Sequence, residues 1–104
     1  MCAAKATFFL PEKDNQGREL SEEIDALTSR LFAHFFGWTL EGVVEGSFMM
    51  ADGSQARDRS MKYSVVLDEP RLGELEVILL EFKARAGQEK IYLEVQHNLD
   101  LRFL

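Results

Sequence analysis

Between Arg71 and Ala86 apolar residues return every three or four positions: Leu72, Leu75, Leu79, Phe82 and Ala86. That spacing places them on one face of a 3.6-residue period and predicts an amphipathic helix. Pro70 suits its first turn, where the missing N–H would be unpaired anyway, and Asp68 or Glu69 can serve as cap. Gly87 marks the left-handed stop. Ile91, Leu93 and Val95 then alternate with Tyr92, Glu94 and Gln96, a strand with one apolar face. A helix with one apolar stripe needs a sheet to bury it on.

The rest of the chain supplies that sheet. Ala6–Leu10 is short, apolar and β-prone, and Pro11 ends it. A polar loop, Glu12 to Leu20, leads to Ser21, a good N-cap with Glu22, Glu23 and Asp25 placed for the helix dipole. Ile24, Leu27, Leu31, Phe32 and Phe35 make the stripe of this first helix, which Gly37 closes. Trp38 to Met50 reads as a long strand, apolar on its even positions. Asp52-Gly53 is a two-residue hairpin signal. With those two residues as the turn, Val44 faces Met61, Gly42 faces Tyr63 and Leu40 faces Val65. This matches the apolar parities of the two strands, and a slip of one residue would spoil the match.

The predicted order is β-α-β-β-α-β. Short connections and right-handed crossovers turn it into a ferredoxin-like plait, an α+β fold with strand order 4-1-3-2 and both helices on one face. Leu99, Leu101 and Phe103 alternate after Asn98 and predict a short extra C-terminal strand. Several phrases, FFLPEKDNQGREL, FFGWTLEGVVEGSF, ADGS and AGQEKIYLEV, resemble a group of small bacterial and phage proteins across nearly the whole chain. The resemblance is one of layout. It implies the same plait and no activity to carry over.

Composition narrows the picture. With 104 residues, 46% of them hydrophobic, the expectation is one domain, 1–104, with one core. The net charge of -6 disfavours nucleic acid and anionic membranes as partners. No apolar run approaches a membrane span and no signal-peptide pattern opens the chain. One cysteine, Cys2, fits a reducing compartment, so a cytoplasmic protein is expected.

Chemistry is thin. There is no GxGxxG, P-loop, HExxH, CxxC or GxSxG pattern. No catalytic residue, metal ligand or cofactor is assigned; His34 and His97 read as structural or solvated. Glu41, Glu45 and Glu94 fall on the sheet face away from the helices, where a solvated or interface role outweighs acid–base work. Gly42 and Gly46 read as making room for phenylalanines of the first helix. Arg57 and Arg59, with Lys62 nearby, form the best local cation cluster and are a candidate anion site near the hairpin tip. Phe9, Val43, Val66 and Tyr92 make the open sheet face partly apolar. With Leu99, Leu101 and Phe103 they predict an interface between copies of the chain, a homodimer in its simplest form. The functional expectation is a homo-oligomeric interaction or regulatory module without catalysis. The alternatives are a ligand sensor similar in plan to ACT or PII proteins, using the Glu12–Leu20 loop, and a cofactor-free enzyme of the dimeric α+β barrel type with a pocketed histidine.

Overall fold

The computed structural model describes residues 2–104. Strands β1 (Ala3–Pro11), β2 (Thr39–Met49), β3 (Gln55–Asp68) and β4 (Leu93–Leu99) form an antiparallel sheet in the order β2-β3-β1-β4. Helices α1 (Ser21–Phe35) and α2 (Leu72–Arg85) pack on one face of it. This is the ferredoxin-like plait that the alternation of periods predicts.

The core lies between the sheet and the helices. Ala4, Ala6, Phe8 and Leu10 of β1 and Tyr63, Val65 and Leu67 of β3 face Ile24, Leu27, Leu31 and Phe35 of α1 and Leu75, Ile78, Leu79 and Phe82 of α2. Phe32, expected on the α1 stripe, is 63% exposed instead. Its neighbour Phe36, rather than Gly37, takes the left-handed position that ends α1, at φ 65°. Leu20, one residue before the expected Ser21, occupies the N-cap and is fully buried. A short 3₁₀ turn, Glu69–Arg71, carries Pro70 into α2 as expected. The stop at Gly87 has paired 5→2 and 6→1 bonds, Gly87 N–H to the Ala84 carbonyl at 3.3 Å and Gln88 N–H to that of Lys83 at 2.9 Å.

The hairpin differs from expectation in register. Met50 N–H bonds the Ser54 carbonyl at 2.8 Å and Gly53 N–H bonds the Met50 carbonyl at 2.9 Å, so the loop has three residues, Ala51-Asp52-Gly53. Gly53 supplies the left-handed residue at φ 85°, as this loop type demands. Val44 therefore faces Ser60 rather than Met61, one residue off the expected register. A β-bulge restores the parity: Leu40 pairs with Tyr63 and Gly42 with Lys62, leaving Glu41 as the extra residue. Gly42 sits there at φ 138°, a conformation that residues with a Cβ rarely adopt.

Beyond Ser60, which pairs with Pro11, β3 has only β2 beside it. Residues 45–59 thus form a two-stranded arm projecting from the sheet. None of β2 is buried. The molecule is accordingly elongated, 45 × 27 × 24 Å, with a radius of gyration of 14.6 Å; a compact chain of this length would have about 13 Å.

At the other edge, Asn98 bends as anticipated, at φ 54°. The bend is a second bulge, within β4, because Ala3 pairs with Leu99 and Lys5 with Gln96. Glu69 holds it: its Oε1 accepts the Asn98 N–H at 2.8 Å. Residues 100–104 join no ladder, so the alternation of Leu99, Leu101 and Phe103 ends in β4 and does not start another strand in this sheet.

Candidate functional site: the open face of the sheet

The face away from the helices is built from three rows of cross-strand neighbours. The middle row is Thr39, Ser64, Thr7 and Glu94. On one side lie Val66, Lys5 and Gln96, and on the other Gly42, Lys62, Phe9 and Tyr92. Thr7 and Ser64 are the chain's buried polar residues among those described, at 6% and 5% exposure, because the longer side chains of the flanking rows close over them.

Glu41 reaches this centre because it is the bulged residue of β2. Its carboxylate pairs with Lys5 Nζ at 3.2 Å and Lys62 Nζ at 3.7 Å. Hydrogen bonding from Ser64, then from Lys5, and the charges of Lys5 and Lys62 hold its carboxyl below the ordinary carboxylate range. Beside this polar centre, the Phe9 and Tyr92 rings stack with centroids 4.4 Å apart. Tyr92 also donates its hydroxyl to Glu94 Oε2 at 3.2 Å. The nearby Glu94 charge pushes the Tyr92 phenol up. The face thus offers an aromatic pair, a free edge on each side, a carboxylate between two lysines, and Val66 at 39% exposure.

The residues singled out in the sequence divide between this face and others. Phe9, Val66, Tyr92 and Lys62 lie on it. So do Glu41 and Glu94, on opposite edge strands. Val43 does not: the bulge turns it to the side of Met61, with which it pairs. Glu45 is turned likewise and pairs with Arg59. Arg57 and Arg59 share the Met61 side of the arm, pairing with Ser47 and Glu45. Lys62 is therefore on the opposite face and is not joined with them in one cluster. Leu99 pairs with Ala3, while Leu101 and Phe103 lie outside the sheet, 46% and 92% exposed. Gly46 makes room for the ring of Phe48 on its own strand, since a Cβ would come within 2.9 Å of that ring; no α1 phenylalanine is involved.

Both histidines are exposed. His34 lies beside the Phe35 ring and His97 Nδ1 is 3.2 Å from Glu69 Oε1. The loop at 12–20 is tied down by Asp14, whose Oδ1 accepts the N–H groups of Gln16 and Arg18 at 2.9 and 2.8 Å. Arg18 then bridges to Glu23 at 2.8 Å. Hydrogen bonding from the Arg18 backbone, chiefly, holds the Asp14 carboxyl below its ordinary range. Among the described residues no group of His, Cys, Asp and Glu is arranged to hold a metal ion. Among these residues, too, no helix is long and apolar enough to cross a membrane.

Sequence reasoning missed two features. One is the bulge that brings Glu41 between Lys5 and Lys62; a glycine inside a strand pattern, Gly42, was the available signal. The other is an apolar groove of about 380 Å³ between α2 and the segment leading into β4, lined by Leu79, Leu80, Ile91 and Leu93 with Glu76, Lys83, Glu89 and Lys90.

The architecture is that of a small α+β plait. No protein-family model matches the chain, and no curated protein matches it in sequence. Solved structures do match in fold. A phage SAM lyase in complex with S-methyl-5'-thioadenosine superposes with a TM-score of 0.65 at 13% identity, over 92% of this chain and 81% of that one. The apo state of a phage SAM lyase gives 0.64 at 12% identity, over 93% and 80%. At such identities the likeness is one of fold.

Proposed function

We propose that the chain works as a homo-oligomer, in its simplest form a dimer, an interaction or regulatory module whose copies meet over the open face of the sheet. The observation that carries this is the composition of that face. Phe9, Val66 and Tyr92 leave apolar surface around a sealed polar centre, and none of the described elements covers it. The tail supports the reading, since Leu101 and Phe103 stay exposed and do not fold back over their own sheet. Light scattering at tens of micromolar tests it. A mass of twice 11.9 kDa or more is expected, falling toward 11.9 kDa in Val66→Asp. A wild-type mass of 11.9 kDa overturns it.

A second reading is a small-molecule site for S-adenosylmethionine on the same face, and with it the lyase chemistry of the fold neighbour. Two observations favour it: the fold match spans nearly the whole chain, and the face carries group types such a ligand needs. The Phe9–Tyr92 pair offers a stacking surface for adenine and Glu94 an acceptor for ribose hydroxyls. Calorimetry with S-adenosylmethionine, and chromatography for S-methyl-5'-thioadenosine released from it, test the two halves separately. Heat without product would mark a sensor, heat with product an enzyme; neither would remove this reading.

A further inference from the structure

The arm at residues 45–59 leaves large apolar side chains exposed. Phe48 is 52% exposed, Met49 84% and Met50 48%, all at its far end. An isolated hairpin is at best marginally stable in water, so an arm of this kind needs a surface to lie on. The chain itself offers one that its own arm does not use. The groove between α2 and β4 has Leu80 at 58% exposure over Leu79, Ile91 and Leu93.

We propose that the arm of a second copy of this chain seats in that groove, with Met49 inserted against Leu80. Two features of the two surfaces match. Met is unbranched and adapts to an irregular apolar slot. On the same side of the arm as Met49, Arg57 and Arg59 follow along the ladder, opposite Ser47 and Glu45; the groove carries Glu76 and Glu89. A reciprocal exchange, each arm in the other copy's groove, closes a two-fold dimer and leaves no arm free. The inference rests on the homo-oligomer reading but uses a surface distinct from the open face.

Disulfide trapping tests it directly. Met49→Cys and Leu80→Cys are each made in a Cys2→Ser background, one carrying a larger tag, and mixed under mild oxidation. The expected product is a crosslink between the two variants at a mass set by both tags. Crosslinks only between like variants, or none, overturn the proposal. Met49→Asp and Leu80→Asp provide a second route: both positions are exposed, so the fold should persist, and each should weaken association about tenfold or more by placing a charge in an apolar seat. Weakened association in Val66→Asp but not in these two overturns the arm contact and leaves the open-face interface standing. A monomeric wild type overturns both.

Discussion

Gly42 is the position where backbone geometry and the site meet, and Gly42→Ala measures how much the bulge depends on it. Gly42 stands at φ 138°, and a Cβ added there would find no heavy atom within 4 Å. Any penalty is therefore local backbone strain and not a clash. A side chain held in such a glycine-only region costs about 1–3 kcal/mol. Reduced freedom of the unfolded chain offsets roughly 0.4–1 kcal/mol of that. The net expectation is a loss of about 1–2 kcal/mol, or about 4–15 °C in melting temperature for a domain of this size. Gly73→Ala is the matched control, because Gly73 lies in α2 with open space around it and no left-handed φ. It should raise stability by up to about 1 kcal/mol. Thermal melts of both variants and the parent at one protein concentration give the comparison, since association would itself move the melting point. A carbon-detected titration of Glu41 adds a local readout. Should the strain dissolve the bulge, Glu41 leaves Lys5 and Lys62 and its pKa climbs back to the ordinary range. A Gly42→Ala protein that melts at or above the parent would refute the bulge and the account of Glu41 built on it.

Other expectations follow from the same geometry. Phe82 is 4% exposed in the core, so Phe82→Ala should cost about 3–5 kcal/mol, read as a lower urea midpoint with an unchanged slope. Glu41 and Asp14 have carboxyls held below their ordinary pKa values, so the stability they lend is present above the unfolded value of about 4.5 or 3.8 and is lost as pH falls through the folded one. Glu41→Gln should accordingly flatten the fall in melting temperature below about pH 4.5; an unchanged acid slope would deny Glu41 its part. Deleting Leu101 to Leu104 should lower the mass seen by light scattering if the tail helps to join copies, and an unaltered mass would remove the tail from the interface.

The sequence by itself determined the elements and their arrangement. The switch between periods of 3.6 and 2 marks α1, α2 and the four strands, and short connections leave few ways to join them other than the plait. It also determined most of the buried side of α2, because Leu75, Leu79 and Phe82 lie on one stripe whatever that stripe packs against; Leu72 is only half-buried, and Ile78, off the expected stripe, is buried with them. The tertiary structure decided the rest. In β2 the even positions read as an apolar face, but every residue there is exposed or half-buried, so no burial enforces the parity. With register weakly held, the three-residue loop and the Glu41 bulge each shift the pairing by one in the same direction, so Leu40 faces Tyr63, two residues from the expected Val65, with parity kept there, and no alternation pattern records either shift. That is why Val43 and Glu45 turned to the opposite side from the one their spacing indicated. The meeting of Lys5, Glu41, Lys62 and Ser64 depends on β1, β2 and β3 lying side by side. Pairing across strands distant in sequence is a property of the assembled sheet, and no local stretch of the chain carries it.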